Sequence, residues 1–164
     1  MSLKKVKAGS NMYQGWITHT HSFLGGECKH FCKYCYVDNS RFGKAERYTG
    51  DIRLIENEFN TNNGEGKTIF IEHMNDLFAT NVPNEFVLRI LTHCLKFPQN
   101  IYVFQTKNPL RYNTFIERNF IPKGSILGTT IETNRDMSSV SKAPPAKERY
   151  EAMKELKFRK FVTV

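Results

Sequence analysis

The sequence has no apolar run approaching the ~20 residues that span a bilayer, and no long apolar segment follows Met1–Lys5. Both absences argue against a membrane span or a secretory leader, so a cytoplasmic location with reduced thiols is expected. No internal repeat, low-complexity segment or linker breaks the 164 residues, which predicts a single domain over 1–164 with a core of ordinary size. Cysteine is scarce and unevenly placed: of four, three fall within eight residues, the pattern of a metal ligand set and unlike a disulfide framework. Acidic residues are short as well, 16 Asp+Glu against 24 Lys+Arg, and the net charge of +8 favours an anionic partner such as nucleic acid or a phosphorylated substrate. The lysines form no dense run, so the charge taken alone also fits a scattered solvating surface.

What is present alternates. Residues 1–12 are basic and polar and read as a flexible arm. A first strand is predicted over Tyr13–Thr20, followed directly by the cysteine loop, then loop from Ser40 to Gly50. Asp51 reads as the cap of a weak helix with Ile52, Ile55 and Phe59 on one face. Strands are predicted at Thr68–Ile71, an apolar run of the buried parallel type, and at Ile101–Phe104, Ser125–Ile131 and Lys160–Val164. Helices are predicted between them. One opens at Pro83 with Phe86, Val87, Ile90, Leu91, Cys94 and Leu95 as its apolar face. One opens at Asn108-Pro109 with Leu110, Phe115 and Ile116 apolar, and one at Pro145 with Tyr150, Met153 and Leu156 at helical spacing. Strict alternation predicts a parallel sheet with right-handed crossovers, of about five strands.

Ligands of parallel α/β folds bind at the carboxyl ends of strands. Polar residues gather there: His19 and His21 before the cysteines, then Glu72, His73, Asn75 and Asp76, then Gln105, Thr106 and Lys107, then Thr129, Thr130, Glu132, Thr133 and Asn134. His19 and His21, two apart, share a face of a regular strand and are candidates to touch a bound ligand, which the resemblance given below would make the cluster sulfurs or the substrate. Cys94 lies on an apolar helix face and reads as core.

Cys28, Cys32 and Cys35 are spaced C-x3-C-x2-C, with Tyr34 before the third and Tyr36 after it. Three thiolates leave one position of a four-ligand set open. The motif resembles the cluster loop of the radical S-adenosylmethionine (radical SAM) superfamily. Trp16–His21, Gly25–Cys28, Glu72–Phe78 with Pro83 and Glu85, and Thr106–Pro109 are similar to uncharacterised phage and bacterial members near the spore photoproduct lyase group.

The resemblance implies that Cys28, Cys32 and Cys35 ligate a 4Fe–4S cluster and that S-adenosylmethionine chelates the fourth iron. It places the methionyl amino group near Asn75 and Asp76, its carboxylate near Lys107, the ribose near Thr130 or Glu132, and adenine near Tyr34 and Tyr36. The superfamily's usual Gly-Gly-Glu at the second strand is absent, and Asp76 equally suits a turn cap. The implied chemistry is reductive cleavage to a 5′-deoxyadenosyl radical acting on an unknown substrate, with an electron donor of flavodoxin or ferredoxin type. The implied fold is a partial (β/α) barrel. The superfamily barrel has six strands, so five imply truncation before closure or completion by a partner chain. Two other readings stand beside it: a cluster-binding module without turnover, and a zinc site of three Cys with His30, His21 or His19 in a nucleic-acid or assembly protein.

Overall fold

The computed structural model describes residues 3–7, 9, 15–40 and 45–164. Eight strands are present among them: β1 Lys4–Lys5, β2 His19–His21, β3 Leu24–Gly25, β4 Arg53–Leu54, β5 Thr68–Ile71, β6 Ile101–Thr106, β7 Ile126–Thr130 and β8 Arg159–Thr163. Three α-helices join them: α1 Asn84–Leu95, α2 Tyr112–Ile116 and α3 Ala146–Glu155. Six strands form one sheet in the order β1-β2-β5-β6-β7-β8, and β3 and β4 form a two-stranded ribbon. From β2 to β8 every pairing in the large sheet is parallel; only β1 is antiparallel, with Lys4 opposite Thr20 and Lys5 opposite His19.

The side-chain alternation of strands sorts the apolar residues onto two faces. Ile69, Ile71, Tyr102, Phe104 and Leu127 join a large core with Val87, Ile90, Leu91 and Cys94 of α1, Tyr112 and Phe115 of α2, and Met153 of α3. All three helices thus cover one face. Phe70, Val103, Ile126 and Phe161 point the other way, into a small cluster with Ile17 and Val6. There Phe161 lies over Gly128, where any side chain would occupy the space of its ring. Each fully buried Leu, Ile or Phe contributes about 1.5–3 kcal/mol, so the helix-side core dominates stability.

The predicted strands at Thr68–Ile71, Ile101–Phe104, Ser125–Ile131 and Lys160–Val164 and the helix after Pro83 are all present within a residue or two. The first strand is confined to His19–His21, and Tyr13 lies outside the described residues. The basic N-terminal stretch contributes β1, which its composition did not announce. The helix predicted after Asp51 is replaced by β4 and a 3-10 turn over Glu56–Asn60. Here long-range pairing overrides local periodicity: Leu54 lies opposite Leu24, and the Ile55 N–H donates to the Phe23 carbonyl at 2.7 Å. In α2 and its preceding turn Leu110 is exposed and Tyr112 is buried instead, its hydroxyl donating to the carbonyls of Phe104 and Gly128 at 3.1 and 2.9 Å. In α3 Tyr150 is exposed, and Arg149 turns inward with Met153. Among the described residues no helix is long and apolar enough to cross a membrane.

Candidate functional site

The ribbon fixes where the cysteine loop begins. Gly26 has φ +91°, and any side chain there would collide with the backbone of Asp51 and Ile52, so the position requires glycine. Two tight turns follow. The Phe31 N–H donates to the Cys28 carbonyl at 3.4 Å, and the Cys35 N–H to the Cys32 carbonyl at 2.9 Å. Phe31 itself adopts φ 45°, an uncommon conformation for a bulky residue. The segment around 137–142 is tied to this loop from afar: the Lys33 N–H donates to the Val140 carbonyl at 2.9 Å, the Lys142 N–H donates to the His30 carbonyl at 2.7 Å, and Cys32 Sγ lies 3.1 Å from Ser141 Oγ.

Cys28, Cys32 and Cys35, all free thiols, line one cavity of about 280 Å³. Its other walls come from the carboxyl ends of three adjacent parallel strands: Glu72, His73, Asn75 and Asp76 after β5, Gln105 to Lys107 at β6, and Thr130 of β7. The sequence-predicted residues Tyr34, Tyr36, Asn75, Asp76, Lys107 and Thr130 all line it. Glu132 stands behind the wall, holding Lys107 Nζ and accepting the Tyr34 hydroxyl at 2.6 Å. Its other oxygen accepts Arg149 Nη1 at 2.6 Å. Burial opposes ionisation of Glu132, but hydrogen bonds from Lys107, Tyr34 and Arg149 and the Lys107 charge outweigh it and lower its pKa.

Asp76 is the node of the site. Its Oδ2 accepts His30 Nε2 and the Lys107 N–H, both at 2.8 Å, while Oδ1 accepts Thr106 Oγ1 at 2.7 Å and the Phe78 N–H at 3.0 Å. Burial would raise its pKa, but these donors, led by His30, bring the net shift below the usual carboxylate value. With four donors in place the carboxylate is spent on the protein: it ties the cysteine loop, through His30, to the end of β6. The turn-capping role is therefore real. Asn75 likewise bridges, Nδ2 donating to the Gly26 carbonyl at 3.0 Å and Oδ1 accepting the Asp76 N–H at 3.1 Å. At the far wall Gln105 Nε2 donates to Thr130 Oγ1 at 2.8 Å and Thr163 Oγ1 at 2.9 Å, forming a row of strand-end hydroxyls.

His19 and His21 do not line the cavity. His19 Nδ1 lies 2.9 Å from Thr18 Oγ1. His21 packs on the Phe23 ring at 4.0 Å, its Nδ1 3.1 Å from Asn63 Oδ1 and its Nε2 3.3 Å from Glu58 Oε2. The short strand carries it into the helix-side core. Cys94 is fully buried in that core, as its place on the helix face predicts.

As a donor set the loop suits a thiophilic metal centre: three free thiols face one cavity. Among the described residues no three His, Cys, Asp or Glu side chains converge as the ligands of a single ion. Burial first, then the Asp76 charge, pushes the Cys28 thiol up to about 12. A bound cation reverses that balance, since a coordinating thiol gives up its proton.

Residues 15–156 match the model of a family described as a protein of unknown function, DUF5131. The chain belongs to this family. No curated protein and no solved structure matches it. The DUF5131 match runs from before β2 to the end of α3 and so covers the cysteine loop and every residue that lines the cavity, though not Thr163 behind its far wall.

Sequence reasoning missed three participants in this DUF5131 site and undervalued a fourth. Arg149 and Ser141 are distant in sequence and carried no motif. Thr163 lies at the end of an expected strand but is brought to Gln105 only by strand pairing. Glu72 was seen only as one polar strand-end residue among several. It adopts φ +59°, is buried, and its Oε1 accepts the N–H groups of Phe23 and Leu24.

Buried ionisable groups give the DUF5131 domain a defined pH response. Burial lowers His21 and His73 from 6.5 to about 4, aided by the neighbouring His93 for His21 and by Lys4 and Arg47 for His73. Burial raises Glu72 from 4.5 to about 8 against the pull of its two backbone donors. Below pH 6.5 the unfolded chain takes up protons that the folded imidazoles refuse, so stability falls toward pH 4, by up to about 3 kcal/mol per ring. Glu72 acts in the opposite sense: its contribution is complete below pH 4.5 and is lost as the pH rises through 8. The melting temperature of the metal-free protein is therefore expected to peak between about pH 6 and 7. A flat profile from pH 4.5 to 6.5 would remove the histidine contribution, and a rise continuing past pH 8 would remove that of Glu72.

Proposed function

We propose that this DUF5131 domain is a radical SAM iron–sulfur protein in which Cys28, Cys32 and Cys35 hold a 4Fe–4S cluster. The observation that carries the reading is the meeting of the three-thiol loop with the carboxyl ends of three adjacent parallel strands around one cavity. The sheet, with its helices on one face and the cavity at its carboxyl end, is read as part of a (β/α) barrel. When bound, the cluster supplies the electron that reductively cleaves S-adenosylmethionine to methionine and a 5′-deoxyadenosyl radical.

The chain's own part is positioning and exclusion. Lys107, held by Glu132 beneath the Tyr34 ring, presents a cation suited to the cofactor carboxylate. Thr130, in its row with Gln105 and Thr163, offers hydroxyl chemistry suited to ribose. Tyr34 and Tyr36 supply ring faces for adenine, with the Tyr36 hydroxyl donating to the His73 carbonyl and so closing the loop over the β5 end. Asn75 and Asp76 act by fixing the walls, because their polar atoms are already committed to the protein.

The test is electron paramagnetic resonance of the anaerobically reconstituted, reduced protein with and without S-adenosylmethionine, beside Cys32→Ala and Cys94→Ala. The expected result is a 4Fe–4S signal that shifts with the cofactor, is lost in Cys32→Ala and is kept in Cys94→Ala. Stoichiometric zinc with no cluster signal would replace this reading by the zinc one. A cofactor-shifted signal with no 5′-deoxyadenosine formed would leave a cluster-binding module without turnover.

A further inference from the structure

The mouth of the cavity carries an arrangement that cluster and cofactor binding do not explain. Phe31, between two of the cysteines, is 44% exposed although its φ of 45° is strained for an aromatic residue. Two ammonium groups approach its ring, Lys29 Nζ and Lys142 Nζ, each 5.0 Å from the centroid. The two cations therefore stand within about twice that distance of one another, where they repel. Lys142 is brought there by the hydrogen bonds that dock its segment onto the loop at His30 and Lys33. The convergence thus arises from tertiary structure and from residues more than a hundred positions apart.

The acids near this mouth are Glu27, Asp38 and Glu132, the last of which accepts the Tyr34 hydroxyl and is paired with Lys107 and Arg149. Glu27 lies 3.6 Å from Lys29, and Asp38 lines the cavity. Among the described residues no carboxylate is within ion-pair distance of Lys33 or Lys142. Two more exposed rings line the same cavity, Tyr34 at 43% and Tyr36 at 57%. Exposed ring faces interleaved with cations match a strand that alternates flat bases and phosphates, with stacking on the former and charge pairing on the latter. Anionic peptides or lipid headgroups use the cations and leave the rings idle. A duplex keeps its bases stacked inside and offers no free face, so an unpaired strand is favoured.

We propose that this mouth binds single-stranded nucleic acid, with phosphates on Lys29 and Lys142 and an unpaired base against the exposed part of the Phe31 ring, next to the Tyr34 and Tyr36 rings that the proposed function gives to the cofactor adenine. That the strand is substrate rests on the radical SAM reading above; that it binds does not, since neither the rings nor the lysines need a cluster.

The test is fluorescence anisotropy of a labelled 12-nucleotide single strand, as DNA and as RNA, with the full chain both metal-free and reconstituted. A hairpin duplex and poly-glutamate serve as competitors, and 5′-deoxyadenosine is measured in parallel. Lys29→Glu/Lys142→Glu is expected to weaken binding at least tenfold, and Phe31→Ala several-fold. The charge-matched control Lys123→Glu/Lys157→Glu, at the amino ends of β7 and β8, is expected to change it less than twofold. Equal weakening by the control, equal competition by poly-glutamate, preference for duplex, or no binding by the native chain would each overturn the proposal. Retained tyrosine circular dichroism and melting temperature certify that a variant is folded, and the surface charge reversals keep the test decisive if Phe31→Ala is not. Strand binding without 5′-deoxyadenosine means that the radical reading fails while the binding site stands. 5′-Deoxyadenosine without strand binding means the reverse.

Discussion

Asp76→Ala is expected to destabilise the protein by about 3–5 kcal/mol, because it strips one acceptor from four donors at once. His30 Nε2, Thr106 Oγ1 and the N–H groups of Phe78 and Lys107 all end on this carboxylate. Each donor left unsatisfied in a buried place costs about 1–3 kcal/mol, and the loss is not fully additive because water enters the cavity. For a chain of this size the melting temperature is expected to fall by roughly 10 °C or more. Asp76→Asn keeps the volume but turns an amide NH2 toward donors on one side or the other, so about half of the loss is expected. The site reports separately from the fold. With His30 released, the cysteine loop loses its tie to β6, and on the iron–sulfur reading proposed above, iron loading after anaerobic reconstitution is expected to drop even where Asp76→Asn remains folded. An Asp76→Ala melting temperature within about 2 °C of the native value would show that the node is not a node.

Glu132→Ala is expected to cost about 3–5 kcal/mol by a different route. Glu132 neutralises two cations, Lys107 and Arg149, and the latter is almost wholly buried. Removing the carboxylate leaves the Arg149 guanidinium, among the described residues, with the carbonyls of Thr130 and Pro144 as partners. An uncompensated buried charge is far more costly than the pair itself is stabilising. Glu132→Gln keeps one acceptor and is expected to lose about 2 kcal/mol. Backbone strain adds a discriminating third variant. Glu132 sits at φ 57°, so Glu132→Gly relieves strain that alanine retains and is expected to be less harmful than Glu132→Ala by up to about 1 kcal/mol. Denaturant unfolding of the three variants ranks them. Native-like stability for Glu132→Ala would mean that Arg149 finds water or another anion when Glu132 is gone.

Both predictions concern residues that the sequence marked for cofactor contact and the structure uses for construction. Asp76 and Glu132 were legible as polar residues just past strand ends, where parallel α/β folds bind ligands. Their partners were not legible. His30 lies 46 residues from Asp76 and Arg149 lies 17 from Glu132, and no local periodicity connects them. Lys107 stands between the two cases: it is a cation at the cavity, as expected, with a half-buried carboxylate already holding it.

Local chemistry by itself determined the strands and helices whose apolar period is unambiguous. Thr68–Ile71, Ile101–Phe104 and the helix after Pro83 needed only their own side chains and a proline stop or start. It also determined that three thiols share a loop and that one cysteine belongs to a helix core, because spacing along a chain constrains reach. Tertiary structure decided the rest, since a buried polar group is settled by whichever partner, near or far, satisfies it. Pairing with Leu24 made a strand of Arg53–Leu54 where the sequence read a helix, and the short β2 sent His21 to the core. Arg149 took the inward face of α3 from Tyr150, because a guanidinium that meets a carboxylate and two carbonyls can be buried. The union of cysteine loop, strand ends and the 137–142 segment around one cavity is a property of the folded sheet, because no segment holds more than one of its walls.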